Sequence, residues 1–306
     1  MPFWMTLLIS GLIVGCLYAL MSFGVVVIYR ATGVLNFAHT TMAALFALVF
    51  GRLIEDQGVP KPMALVLTVA FAFGAGVLLY QLLLRRLSGA TLLSQIVATL
   101  AVALLLQAVL GVVFTTNVQT VPALFSTRAV SVLGAQLSWH QIGVAITTTL
   151  LGACLAVVFG RSKVGLAIRA VAANRDASRI LGVNVERTEA LMWGLATALA
   201  ALAGILLAPL TLVDLRTVAS LMVKVFAAAL VGGLGSYGGA IAGALLLGGT
   251  EAIFGGYVRS SEIRESLPFF LVMIAVGTRA LLIPWIAHLR ASRSAAAPTP
   301  AVPAAA

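Results

Sequence analysis

Along the chain, apolar residues gather in long unbroken runs, and charged residues collect in the short gaps between them. A helix rises about 1.5 Å per residue, so about 20 residues cross a hydrocarbon core of ~30 Å. Seven runs meet that length and predict membrane-crossing helices over 4–28, 34–54, 63–84, 92–114, 139–160, 190–210 and 267–287. The second carries Asn36, His39 and Arg52 near its ends, and it either crosses or dips partway. An eighth run, 221–257, would measure about 55 Å as one helix, too long for a single span. Its middle, GGLGSYGG, holds Gly232, Gly233, Gly235, Gly238 and Gly239, which disfavour helix continuity and permit sharp turns. That run is one long helix, one span with a broken half-helix, or two short spans. The expectation is an all-α, polytopic membrane helix bundle of eight or nine spans within residues 1–290. The Ala/Pro stretch 291–306 is expected to be disordered.

Composition agrees with this pattern. Of 306 residues, 61% are hydrophobic and 9% charged, with a mean hydropathy of +1.11; a soluble domain has about 25% charged residues. That excludes a soluble enzyme, a disordered chain and a fibrous repeat. The net charge of +10 invites a nucleic-acid reading, but the basic residues lie between apolar runs and form no stripe with stacking aromatics. Cys16 and Cys154 sit within apolar runs and read as small buried hydrophobes. No basic residue precedes Arg30, so the first run reads as a permanent span with its N-terminus outside, not as a signal peptide.

Charge placement sets the orientation. The loop 161–187 holds Arg161, Lys163, Arg169, Arg175, Arg179 and Arg187 against Asp176 and Glu186, which makes it cytoplasmic. Counting outward puts Arg30, Arg85 and Arg86 inside, and Lys61, Asp214 and Arg216 outside. Arg290 and Arg293 prefer the inside, which requires the glycine-broken run to cross twice or not at all. Trp4, Trp139, Trp193 and Trp285 lie near proposed span ends, where amphipathic rings favour the interface.

The basic loop is more than a linker. Ala167, Ile168, Val171, Ala172, Arg175, Ala177, Arg179, Ile180 and Leu181 predict an amphipathic helix with Gly165 before it, Asn174 and Asp176 as polar breaks along it, and Gly182 as its stop. Such an element is a solvated basic loop, a docking helix for a partner, or a contact for anionic lipid. Asn36 and His39 either line a pathway or are satisfied against another helix. Glu189 reads as an acid favoured by a helix N-terminus, and Glu251 as a buried acid. Lys224 is an interfacial snorkel or a solute contact. The glycines at 232, 233, 235 and 238 either pack helices or free backbone amides along a path. These residues, with Asn36, His39, Lys224 and Glu251, are the translocation-path candidates. His39, His140 and His288 are scattered, and no metal-binding spacing exists.

Three segments carry a resemblance. They are YALMSFGVVVIYRATGVLNFAH from Tyr18, VGLAIRAVAANRDASRILGVNVERTEALMWGLATALAALAGILLAP from Val164, and KVFAAALVGGLGSYGGAIAGALLLG from Lys224. Together they resemble the inner-membrane permease subunits of branched-chain amino acid ABC transporters, the shorter of the two paired permeases. The resemblance implies that the basic loop seats in a cleft of a cytoplasmic ATPase subunit, with Gly165, Arg169, Ala170, Arg175, Leu181, Gly182 and Arg187 as the contact set. It also implies a second homologous permease, two ATPase subunits, an external substrate-binding protein and the bacterial inner membrane. Where the family commonly has Gly-Glu after the Asn-Phe-Ala-His stretch, this chain has Thr40 and Thr41, which leaves open the choice among branched-chain amino acids, urea, amides and other amino acids.

No phosphate-binding GxxxxGK[ST] loop occurs, so this chain is expected to bind no cofactor and its partners to use ATP with magnesium. An ion-coupled secondary transporter or channel is the rival class. An intramembrane enzyme would need a catalytic carboxylate pair or a Ser/His arrangement, and neither stands out; no catalytic residue is expected.

Overall fold

The computed structural model describes residues 3–114, 120–132, 135–211, 215–258, 260, 263 and 266–278. The helices are α1 (Phe3–Thr32), α2 (His39–Glu55), α3 (Lys61–Leu79), α4 (Leu92–Val113), α5 (Trp139–Arg161), α6 (Lys163–Ala173), α7 (Arg175–Ile180), α8 (Val185–Leu207), α9 (Leu215–Gly232) and α10 (Tyr237–Tyr257). Ser266–Thr278 forms a last apolar helix, α11. A π-helical turn, Tyr80–Leu84, extends α3. Among the described residues, six helices are long and apolar enough to cross a membrane: α1, α3 with its π turn, α4, α5, α8 and α10.

Helices α1 and α8 form the centre. In each, 83% of the apolar window is buried, against 28%, 17% and 22% in α3, α4 and α5, whose outer faces are left to lipid. Around this centre, α10, α9 and α5 pack on α1, and α3 and α2 pack on α8. Lipid tails are as apolar as leucine, so helices here associate through close packing at small residues. Between α1 and α10 that packing is extreme: a Cβ on Gly248 would lie 2.5 Å from the Gly11 carbonyl oxygen and from Gly15 Cα.

The glycine-rich run resolves as two helices. Its turn, 233–236, folds α10 back along α9; Gly233 has φ +89° and Ser236 caps α10 by accepting from the Gly239 amide at 3.0 Å. The Arg30 guanidinium lies 4.7 Å over the Tyr237 ring, and Arg85 pairs with Glu186 at 2.7 Å. Arg30, Arg85, the glycine turn and the basic loop therefore share one end of the bundle. At the opposite end, Lys61 donates to the Ala123 carbonyl at 2.6 Å and His140 donates to the Leu206 carbonyl at 3.0 Å.

Several sequence expectations are corrected. The amphipathic helix begins at Lys163, so Gly165 lies inside it and not before it; of the two expected polar breaks, Asn174 is the one that divides it, extended (φ −157°) and capping α7, while Asp176 lies within α7. The second apolar run is irregular up to Ala38 and helical only from His39. A two-stranded hairpin, β1 (Ala129–Val132) with β2 (Ala135–Ser138), occupies a stretch where no element was expected. Trp4 and Trp139 are exposed, but Trp193 is fully buried and faces the bundle instead of headgroups. Cys154 is exposed and Cys16 half-buried, so neither is a core thiol. The stretch 291–306, Trp285, Asp214, His288, Arg290 and Arg293 lie outside the described residues.

Candidate functional site

Two charged clusters stand out, one among the apolar helices and one where the basic loop meets the bundle. The first joins α9, α10 and α1. Lys224 Nζ donates to Glu251 Oε1, and the Tyr18 hydroxyl donates to Glu251 Oε2 at 3.1 Å. Lys224 also lies 6.0 Å from the Tyr18 ring centroid. A lone charge at membrane depth costs about 2.5–3.5 kcal/mol on insertion scales. Pairing removes the net charge, which accounts for an acid and a lysine surviving on two apolar helices. Lys224 also lines a cavity of about 440 Å³ together with Ser220, Val223, Ser266, Pro268 and Phe269.

The second cluster links the basic loop to the bundle. Glu189, in the second turn of α8, is fully buried. Its Oε2 accepts from Arg175 Nη2 at 2.6 Å and from the Tyr80 hydroxyl at 2.5 Å. Tyr80 opens the π-helical turn; such bulges re-aim side chains and recur at functional sites. Outside it, Glu186 takes Arg85 at 2.7 Å and Arg179 at 3.7 Å. The reading of Glu189 as an acid merely favoured by a helix start is thus replaced by a buried three-residue network.

The remaining members of the loop surround that anchor. Gly165 is buried, and a Cβ there would lie 2.4 Å from the Val158 carbonyl oxygen, so α6 folds back tightly on the end of α5. Arg169 and Ala170 are half-buried, and Arg187 is exposed. Gly182 has φ +81°, the left-handed conformation that stops α7. Beside it Ile180 and Leu181 are 87% and 80% exposed, the apolar tip of an otherwise basic surface.

Asn36 and His39 lie deep among neighbouring helices. Asn36 Oδ1 accepts from the Ala38 amide at 3.0 Å, and His39 Nε2 donates to the Met21 carbonyl at 3.1 Å. His39 packs so closely on α1 that a Cβ on Gly24 would come within 2.7 Å of its ring. Gly232 meets Gly239 across the turn, where a Cβ would fall 2.0 Å from the facing carbonyl, while Gly235 and Gly238 face open space. Among the described residues, no group of three His, Cys, Asp or Glu could hold a metal ion.

The family model for the branched-chain amino acid transport system permease component matches residues 7–277. A high-affinity branched-chain amino acid transport system permease protein of Pseudomonas aeruginosa, BraD, is 29% identical over 88% of this chain and 92% of its own length. The corresponding protein of Escherichia coli K12, LivH, is 27% identical over 87% of this chain and 91% of its own. No solved structure matches the chain.

Proposed function

The chain belongs to the family of branched-chain amino acid transport system permease components, and on that premise we propose that it is one membrane subunit of an ATP-driven importer in the bacterial inner membrane. A second homologous permease completes the path, two cytoplasmic ATPase subunits bind and hydrolyse ATP with magnesium, and an external binding protein delivers a branched-chain or related small amino acid. The chain itself binds no cofactor.

The observation that carries the reading is the basic loop. Its tip exposes Ile180 and Leu181, which suit a cleft on a partner protein, while its other side is tied by Arg175 to buried Glu189. Closure of the ATPases on α6 and α7 would thereby pull on α8, and through Tyr80 on α3. Gly165, Arg169, Ala170, Arg175, Leu181, Gly182 and Arg187 form or support this docking element. On this reading α1 to α5 and α8 to α11 each cross the membrane, nine in all, with the loop inside. The hairpin of α9 and α10 supplies the second crossing that the positive-inside rule asks for. The path runs beside α9 and α10, with Lys224 and Glu251 on it, Gly232, Gly233, Gly235 and Gly238 at its cytoplasmic turn, and Asn36 and His39 holding the adjoining helix. The pairing of Glu251 with Lys224 leaves that acid without the free charge an ion-coupled transporter would use.

The test is co-purification of the tagged chain with its partners, followed by ATPase and uptake assays in liposomes with the binding protein. ATPase subunits in the complex and nucleotide-dependent uptake support the reading. Gradient-driven uptake by this chain alone would overturn it.

A further inference from the structure

We propose that the Lys224–Glu251 pair and the cavity beside it form a subsite for the α-carboxylate and α-ammonium groups of a free amino acid. The inference rests on the permease reading and assigns the solute's contacts within it.

The chemistry follows from what each group still offers. Among the described residues Lys224 makes one hydrogen bond, to Glu251, so two of its three N–H donors remain available to the cavity. Its side chain is 17% exposed and lines the cavity, and that of Glu251, directly paired with it, is 25% exposed, so neither charge is sealed off. A zwitterion is itself a closely spaced positive and negative pair. When its carboxylate takes the Lys224 ammonium, its ammonium replaces Lys224 on Glu251, and the site stays neutral before, during and after occupancy. An anion or a cation of the same size would leave one protein charge unpartnered at membrane depth, which is the costly state.

The cavity supplies the remaining selectivity. Val223, Pro268 and Phe269 present apolar walls, and Ser220 and Ser266 present hydroxyls. Both hydroxyl protons are committed to carbonyls one turn back, Thr217 and Ile263, at 3.0 Å and 2.9 Å. Their oxygens are therefore left as acceptors, which suit an ammonium group. Glu251 is held from behind by the Tyr18 hydroxyl, which fixes the carboxylate while Lys224 turns to the solute. A branched aliphatic side chain fits the apolar wall and gains by leaving water.

The experiment uses the reconstituted complex of this chain with its partner permease and ATPases, with radiolabelled L-leucine as probe and no binding protein or nucleotide present. A Lys224→Met/Glu251→Gln double variant removes both charges at once and leaves no lone charge in the bundle. It is expected to co-purify with its partners and to bind leucine at least ~10-fold more weakly, the loss of charge-assisted hydrogen bonds at both ends of the solute. A second variant, Val223→Phe, fills the cavity without touching the pair and is expected to weaken leucine binding comparably. Leucine binding equal to that of the unaltered complex in either variant would overturn the subsite. Should the double variant fail to assemble, Val223→Phe decides alone. Failure of the unaltered chain to co-purify with ATPase subunits would instead sink the importer reading.

Discussion

Arg175 and Glu189 meet at 2.6 Å across the boundary between the basic loop and the helix bundle: the arginine side chain is 36% exposed and the carboxylate is fully buried. The two are therefore unequal partners. Arg175 retains much of its hydration, whereas Glu189, among the described residues, takes hydrogen bonds from Arg175 and the Tyr80 hydroxyl alone. Removing one member of a fully buried pair costs about 3–5 kcal/mol; the exposure of Arg175 brings the expectation for Arg175→Ala to about 1–3 kcal/mol. A lowered Tm of the purified complex is the check, and an unchanged Tm would show that the contact carries no load.

Tyr80→Phe deletes the other donor without altering shape. It is expected to destabilise by about 1–2 kcal/mol. Because both donors serve one oxygen, the Arg175→Ala/Tyr80→Phe double variant should depart from additivity by roughly 0.5–3 kcal/mol. A double-mutant cycle on chemical unfolding in detergent reads this directly, and strict additivity would dismantle the network. Arg175→Ala and the double variant are also expected to raise ATP consumed per solute moved, since they cut the link between α7 and α8.

These contacts explain which parts of the molecule its sequence discloses. Length and apolarity suffice for α1, α3, α4, α5 and α8, because a membrane helix satisfies its own backbone and needs only the right solvent. The loop's charge discloses its position for the same reason. The Glu189 network was illegible: Tyr80 lies 109 residues away, and nothing local distinguishes its carboxylate from an ordinary acid at a helix start. Lys224 and Glu251 were each noticed but could not be paired, since their meeting depends on whether the glycine run folds back. The break at Asn174 was legible, since an asparagine followed closely by Asp176 interrupts the apolar periodicity, and Asn174 is where the chain turns extended and caps α7. The β hairpin is too short, four residues per strand, for any alternation to register.

The close crossing of α1 and α10 tests the packing account. Gly248→Val places a branched side chain where even a Cβ would lie 2.5 Å from the Gly11 carbonyl. The helices must separate, and a loss of several kcal/mol is expected, seen as failure to accumulate in the membrane fraction or as loss of a cooperative melt. Gly74→Ala is the internal control, since a Cβ there meets nothing within 4 Å. By removing a mid-helix glycine it should stabilise by about 0.5–1 kcal/mol. Equal effects at the two sites would contradict the packing of α1 on α10.

The tip of the basic loop separates docking from folding most cleanly. Ile180 and Leu181 are so exposed that replacing them removes little buried area from this chain. Ile180→Ser/Leu181→Ser should therefore change stability by no more than about 0.5 kcal/mol per site. If the tip inserts in a partner's cleft, the same change removes about 1.5–3 kcal/mol per side chain from the interface, enough to deplete ATPase subunits from pull-downs of the tagged chain. Gly182→Val probes the geometry of the same tip by a different route. At φ +81° a β-branched residue is strained by about 1–2 kcal/mol, which shifts the tip without changing its composition. Both variants are thus expected to weaken ATPase association, the first with Tm intact and the second with Tm lowered. Retention of the ATPase by the double serine variant would place the docking surface elsewhere on the loop, and a lipid contact would then show as reduced binding to anionic vesicles.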